Sequence, residues 1–273
     1  MKKVLLTTTA LVMTAGVAAA DITFSGAGEV GMDDGTLYTG YDFNVALSAA
    51  ADNGMTFAMG FDMGAGSIAD VADKVTDPQS GTIGTSGVTI GYDGYTVVVN
   101  PGSVDNIYDD DNGSHDISFA GSFGGISATI AMDQEGGDSS YTLGYSAGDV
   151  SLTMTGTNDD SAAGNNASKI VLGYAMGDLS AKVTANDNGA DADTTELSLT
   201  YAVTDALSVT GAMDNADGYD MSIAYSAGAA SANYSTNEND AWEADVSYDM
   251  GGATAFYATD SNSANIVGVK FSF

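Results

Sequence analysis

Apolar and polar residues alternate along most of this chain with a period of two. The final residues show the pattern clearly, since Val267, Val269, Phe271 and Phe273 are apolar and small or polar residues stand between them. This alternation predicts β-strands with one apolar and one polar face, because successive side chains of a strand point to opposite sides. After residue 20, no segment shows the period of 3.6 that is typical of an amphipathic helix.

Similar alternating segments follow one another from residue 22 to the end of the chain, and we count 18 of them. Clear examples are 41–49, 55–63, 197–203 and 242–248. Each segment has about 7 to 11 residues, and a strand that crosses a membrane at a tilt needs about 9 to 11. The segments are therefore long enough to be the strands of a transmembrane barrel.

The connections between the segments alternate in length. Short connections include 51–54, 124–125, 147–149, 177–178, 204–205 and 251–252, and longer acidic ones include 64–81, 157–166 and 186–193. Tight turns at one end and longer loops at the other are typical of outer-membrane barrels. We therefore predict an all-β fold, an antiparallel transmembrane β-barrel with short periplasmic turns and longer external loops.

Two interpretations stay open for the region 81–114. In one, a strand that starts at Gly87–Tyr92 runs directly into a long loop. In the other, Asp93 and Gly94 form a tight hairpin turn and 95–99 is the next strand.

The first twenty residues have the features of a secretory signal. Lys2 and Lys3 provide a basic start, 4–17 is mostly apolar, and a run of alanines ends at Ala20. We expect cleavage between Ala20 and Asp21, which leaves residues 21–273 as the barrel. The alternative is an uncleaved anchor, but the apolar stretch is short for a spanning helix of about 20 residues.

The charge of the chain excludes one class of partner. The sequence has 6 basic and 37 acidic residues, and the loss of Lys2 and Lys3 with the signal leaves a net charge of −33. Such a surface repels nucleic acid, so we expect no DNA or RNA partner. Cysteine is absent.

A soluble β-sandwich also has alternating strands. Its inner face would be dominated by Val, Ile, Leu and Phe, and its surface would carry both signs of charge. Here the polar phase consists of Ser, Thr, Asp, Asn, Gly and Ala with almost no basic residue, and the apolar phase is rich in Tyr, Met and Ala. This composition favours the barrel.

Catalytic motifs are absent from the sequence. His115 is the single histidine, and no Gly-x-Ser-x-Gly elbow, P-loop or dinucleotide fingerprint occurs. A lone histidine without cysteine seldom forms a metal or catalytic site. We therefore expect no enzyme and no required cofactor.

Two parts of the chain resemble Gram-negative outer-membrane porins of the alphaproteobacterial type. One is the end, which comprises 248–253, 257–260 and Gly268-Val269-Lys270-Phe271-Ser272-Phe273. The other is 104–110, which is similar to the pore-constricting third loop of that family. The resemblance implies a 16-stranded barrel in the outer membrane, usually a homotrimer, that passes small solutes and ions by diffusion. It also implies that Phe271 and Phe273 are read by the barrel-assembly machinery.

The resemblance further implies an eyelet, in which acids of the third loop face a basic cluster on the opposite wall. The expected constriction residues are Asp105, Asp109, Asp110 and Asp111. The expected residues facing the lumen are the acids Glu29, Asp42 and Asp62 and the lysines Lys169, Lys182 and Lys270. Arginine is absent, so the basic cluster is weak. Because charged rings select ions by sign, we predict a cation-selective pore.

Calcium is a secondary hypothesis. Asp109, Asp111 and Gly113 are spaced like the start of a calcium loop, although its distal Glu is missing. The alternative function is a structural or adhesive outer-membrane barrel whose acidic loops bind divalent cations or external partners.

Overall fold

The structure is a computed structural model that describes residues 19–108, 113–134, 136–158, 166–189 and 191–273. These residues form an all-β protein. None of them belongs to a helix long and apolar enough to cross a bilayer.

Nineteen strands are present in the described residues. They are β1 (Ala19–Asp33), β2 (Thr36–Ala50), β3 (Thr56–Asp70), β4 (Val75–Pro78), β5 (Gly84–Tyr92), β6 (Tyr95–Asp105), β7 (Gly113–Phe123), β8 (Ile126–Met132), β9 (Ser139–Ala147), β10 (Val150–Asn158), β11 (Ser168–Met176), β12 (Leu179–Asp187), β13 (Thr194–Thr204), β14 (Leu207–Asp214), β15 (Tyr219–Ala227), β16 (Ala230–Asn237), β17 (Trp242–Asp249), β18 (Ala253–Asp260) and β19 (Asn265–Ser272).

All strands except β4 form one closed antiparallel barrel, in which β19 pairs with β1. Glu29 lies opposite Lys270 in this closing pair, and the backbones of Gly26 and Phe273 exchange two hydrogen bonds. The described part of the barrel therefore has 18 strands, which confirms the number of segments counted in the sequence. The resemblance implied 16 strands, and this number is corrected to 18, because β5 and β6 form a complete hairpin of their own.

Connections of two to four residues are present at the end of the barrel where β1 finishes, namely 34–35, 215–218, 238–241 and 261–264, so short turns are not confined to one end as predicted. Eight more short connections lie at the opposite end, where β1 starts and β19 finishes, which we name the turn end. They are 51–55, 93–94, 124–125, 148–149, 177–178, 205–206, 228–229 and 250–252. Asp93 and Gly94 have φ values of 50° and 82°, which are those of a tight hairpin turn of type I′. Of the two interpretations for 81–114, the one with a strand at 95–99 is confirmed. The other end is named the loop end.

The two faces of the wall differ as the alternation predicts. Leu143, Leu152, Ile170 and Leu172 belong to the apolar phase and are exposed on the outside of the barrel. In the same strands the other phase is mostly Ser, Thr and Gly, as in the row Ser140, Thr142 and Gly144 of β9. A barrel of 16 to 18 strands encloses an aqueous channel rather than a packed core, so a polar interior is expected.

The second half of β3 leaves the wall. Its pairing with β2 ends at Gly66, and Ser67–Asp70 pairs instead with β4. Gly66 has a φ of +75°, a conformation that glycine adopts without strain and that redirects the strand. The predicted external loop 64–81 is therefore partly a hairpin, whose strands span 67–78 and which we name the inward hairpin.

Candidate functional site

The register places the six residues expected to face the lumen in the same interior phase. Glu29 pairs with Lys270 across the barrel closure, and Asp62 lies opposite Asn44, two residues from Asp42. Thr155 lies opposite Lys169, and Gly173 opposite Lys182.

Asp42 and Asp62 form a local acidic group on the wall. Their carboxyl groups are within hydrogen-bonding reach of each other. The side-chain amide of Asn44 also donates to Asp42 over 2.8 Å. Two neighbouring carboxylates with one amide donor leave net negative charge at this point of the interior.

Charge is unevenly distributed around the interior. Strands β17, β18, β1, β2 and β3 carry most of the interior acids, which are Glu243, Asp245, Asp249, Asp260, Asp21, Glu29, Asp33, Asp42 and Asp62. The opposite strands β9 to β12 present mainly hydroxyl groups, together with Lys169 and Lys182. One side of the interior is therefore acidic, and the other is neutral to weakly basic.

The inward hairpin is fastened to the acidic side through Glu29. The Glu29 carboxylate, only 6% exposed, accepts the Tyr38 hydroxyl at 2.6 Å and the Ala69 amide at 2.8 Å. Because Glu29 and Tyr38 belong to β1 and β2, while Ala69 belongs to the hairpin, these bonds hold the hairpin against the inner surface of the wall.

Lys74 makes a second attachment from the tip of the hairpin. Its ammonium lies 2.6 Å from the Glu243 carboxylate on β17 and donates to the carbonyl of Ala72. The Lys74 side chain is 4% exposed, whereas that of Glu243 is 58% exposed. On the second strand of the hairpin, the Thr76 hydroxyl donates to Asp33 over 3.1 Å.

Apolar contacts complete this attachment. Tyr38, Phe256, Ala258 and Ile266 form a buried cluster on the interior face, and Ala69 and Val71 of the hairpin pack against it. A Cβ atom on Gly40 would overlap the backbone of Ser67, so the close approach of the hairpin requires glycine there. Because the hairpin covers these side chains, an apolar cluster can lie inside an otherwise polar barrel.

Sequence reasoning missed the inward hairpin and the role of Lys74. A signal was present: Ile68, Val71 and Val75 are apolar residues in a stretch predicted to be an exposed loop, and Lys74 is its only cation. Periodicity alone does not distinguish a loop that folds inward from one that projects into solvent.

A second segment, residues 104–108, also folds against the interior, and we name it the inward strap. The Ile107 amide donates to the Ser140 hydroxyl over 2.9 Å, and the Asn106 amide group donates to Thr157 over 3.4 Å. The ammonium of Lys169 lies 5.5 Å from the centre of the Tyr108 ring. The strap therefore contacts the inner faces of β9, β10 and β11 in turn.

His115 is buried beneath the strap. Its Nε2 lies 3.0 Å from the Ser140 hydroxyl, and its Nδ1 lies 3.4 Å from Asp133 Oδ1. This order matches the sequence of groups in a serine hydrolase triad, but Ser140 is 0% exposed and already accepts the Ile107 amide. The Ser140 hydroxyl is thus closed to solvent and bonded to the strap, with His115 beside it.

The four aspartates expected at the constriction are placed only in part. Asp105 ends β6 and is an exposed residue of the strap, while Asp109, Asp110 and Asp111 lie outside the described residues. Among the described residues, no three His, Cys, Asp or Glu side chains are grouped closely enough to hold a metal ion. The calcium hypothesis for Asp109 and Asp111 stays a prediction, which titration calorimetry would test.

The predicted assembly and cleavage residues lie at the turn end. Phe271 and Phe273 belong to the outward phase, and the Phe273 ring stacks on Phe43 with centroids 6.5 Å apart. Ala20 and Asp21 belong to β1, opposite Ala49 and Ser48, and residues 1–18 of the predicted signal lie outside the described residues.

Solved structures with a similar fold include porins. The chain is 18% identical to a multiple mutant of Rh. blastica porin and 15% identical to a triple mutant of Rhodopseudomonas blastica porin, each with a TM-score of 0.55. Both comparisons cover 92% of this chain and 100% of the porin. No protein-family model matches the sequence, and no curated protein is detectably similar to it. At these identities the comparisons show a porin-like fold.

Proposed function

We propose that this protein is a porin of the outer membrane of a Gram-negative bacterium, a water-filled channel for passive diffusion of small hydrophilic solutes and ions. The observation that carries the proposal is the closed 18-stranded barrel with a polar interior phase and an apolar exterior phase. A barrel of this strand number is wide enough for an aqueous channel. Its apolar outer surface suits contact with lipid.

The inward hairpin and the inward strap would set the width of this channel. They attach to opposite parts of the wall, the hairpin to β1, β2 and β17 and the strap to β9, β10 and β11. Side chains that approach from two sides narrow a pore more effectively than one segment of the same length. The strap contains the start of the loop that resembles the porin constriction. Asp105 and its neighbours would therefore act there as the constriction residues.

Cation selectivity is the second part of the proposal. The interior acids outnumber the three interior wall lysines, and Lys74 is already paired with Glu243. A pore lined by one sign of charge concentrates counter-ions and excludes ions of that sign. We therefore expect potassium to permeate in preference to chloride.

Reversal potentials in planar bilayers under a KCl gradient test both parts. The wild-type protein should form channels whose reversal potential has the sign expected for a cation-selective pore. The double variant Asp42→Asn/Asp62→Asn should move this potential towards zero. Asp52→Asn is the control, because Asp52 lies in an exposed turn outside the barrel wall. A chloride-selective wild type would contradict the proposed cation selectivity. Absence of both conductance and liposome swelling with small sugars would contradict the proposed channel and favour a structural or adhesive barrel.

Assembly would depend on the last strand. We propose that Phe271 and Phe273 are presented to the barrel-assembly machinery and that the protein works as a homotrimer. Phe273→Ser should lower the amount of folded barrel in outer membranes, whereas Phe123→Ser, at an exposed position of another strand, should not. Cross-linking in membranes that yields only monomers would contradict the trimer.

A further inference from the structure

A pocket opens on the inner wall where β10, β11, β12 and β13 lie side by side, with a volume of about 320 Å³. The strand register builds its lining in one row. Ser151 lies opposite Gly173, Gly173 opposite Lys182, and Lys182 opposite Ser198. Four neighbouring strands therefore bring one ammonium group and two hydroxyl groups together.

A second row adds two more hydroxyl groups. Ser180 precedes Lys182 by two residues on β12 and thus shares its face, and Thr200 lies opposite Ser180 on β13. The Thr200 hydroxyl lies 2.8 Å from that of Thr210, which anchors it on the wall. Lys182 is therefore flanked by hydroxyl groups on both sides.

Gly173 keeps the pocket open between Ser151 and Lys182. A Cβ atom at this position would lie 2.5 Å from the Ser151 hydroxyl oxygen, too close for an ordinary contact. A larger side chain would therefore fill the space that a small molecule could occupy.

The charge of Lys182 is not neutralised by its described surroundings. No carboxylate among the described residues lies within 4.0 Å of its ammonium, in contrast to Lys74, which is paired with Glu243. Among the lining residues, which are all described, Asp149 is the only acid, and it stands in the turn between β9 and β10. The lining thus holds one lysine and one aspartate, and the Lys182 ammonium is the one positive charge among the lining residues.

We propose that this pocket is a binding subsite for small oxyanions, with inorganic phosphate as the simplest example. The ammonium of Lys182 would supply the opposite charge, and hydroxyl groups of Ser151, Ser180 and Ser198 would donate to the oxygen atoms of the anion. Several directed hydrogen-bond donors favour an oxyanion over chloride, whereas a single positive charge attracts both. The subsite rests on the proposed channel function, because a solute reaches it only through the lumen, and it would help anionic solutes to enter a pore that otherwise repels them.

Phosphate binding is measured by ³¹P NMR line broadening with the full barrel in detergent, and in parallel by the block of single-channel KCl current on addition of phosphate. Lys182→Gln should weaken phosphate binding by about 10-fold, and Ser198→Ala by a smaller factor. Lys270→Gln is the matched control, since Lys270 is also an exposed lysine on the inner wall but faces Glu29.

The subsite is overturned if the wild-type protein does not bind phosphate, or if Lys182→Gln and Lys270→Gln weaken binding equally, because the attraction would then be unspecific. A protein that conducts KCl but fails the NMR test retains the channel and loses the subsite. A protein that binds phosphate through Lys182 but does not conduct retains the subsite and loses the channel.

Discussion

The ammonium of Lys74 lies 2.6 Å from the carboxylate of Glu243, and this pair joins the tip of the inward hairpin to β17. One partner is buried and the other is largely exposed. Water therefore screens the pair, and its contribution to stability is at most about 1 kcal/mol. The pair matters because of its position, since no other attachment of the hairpin described above lies as far from the hairpin base.

Trypsin provides a direct test of this attachment. Trypsin cleaves after lysine, and Lys74 is buried, so the intact barrel should resist cleavage there. Glu243→Gln removes one charge of the pair and should speed cleavage after Lys74 about fivefold, as expected for a loss of about 1 kcal/mol from local closure. Mass spectrometry of timed digests measures the rate.

Asp245→Asn is the control for this experiment. Asp245 is on the same strand and in the same phase as Glu243, but it is bonded to Asn233 rather than to the hairpin. Equal cleavage in the wild type and Glu243→Gln would show that the pair does not hold the hairpin in place.

Gly40 should control how closely the hairpin approaches the wall. In Gly40→Ala the new methyl group meets the backbone of Ser67, which cannot move away without displacing the hairpin. We expect a larger and noisier single-channel conductance, because a displaced hairpin leaves more open lumen. Gly28→Ala is the control, since nothing lies within 4 Å of a Cβ at that position. Identical currents from both variants would contradict a role of the hairpin in pore width.

The barrel itself was predictable from the sequence, and the inward hairpin was not. The period of two fixes which residues share a face, so the positions of Glu29 and Lys270 on the inner wall follow from alternation. The partner of Lys74 does not follow, because Glu243 is distant in the chain and their meeting depends on the turn at Gly66. The number of strands depended on one local signal, Asp93-Gly94, and the sequence left it undecided against the 16 strands implied by the resemblance; the β5–β6 pairing decides for 18.

The interior apolar cluster should contribute more to stability than the ion pair. Ile266 is fully buried, and Ile266→Ala leaves a cavity beneath the hairpin. Such changes cost about 2 to 5 kcal/mol in unfolding free energy. We expect a clearly lower thermal midpoint in detergent, measured by circular dichroism. Val267→Ala removes a neighbouring side chain on the outer face of the barrel and should have a smaller effect. A larger effect of Val267→Ala would contradict a structural role for the cluster.

The inward strap should depend on the hydroxyl of Ser140. That hydroxyl accepts the Ile107 amide and lies beside His115 Nε2, so Ser140→Ala leaves the partly buried amide and the buried imidazole without this partner. An unsatisfied buried donor costs about 1 to 3 kcal/mol, so the strap should open more often. Hydrogen exchange of the Ile107 amide should become at least about 10-fold faster, since exchange reports local opening.

Ser146→Ala is the matched control for Ser140→Ala. Ser146 lies on the same face of β9, but it pairs with Ser151 near the turn end and is not bonded to the strap in the described structure. Unchanged exchange at Ile107 in Ser140→Ala would show that other contacts suffice, chiefly those of Asn106 and Tyr108. In that case the strap would be held by its contacts with Thr157 of β10 and Lys169 of β11. Thr157→Ala would then be the variant that releases it.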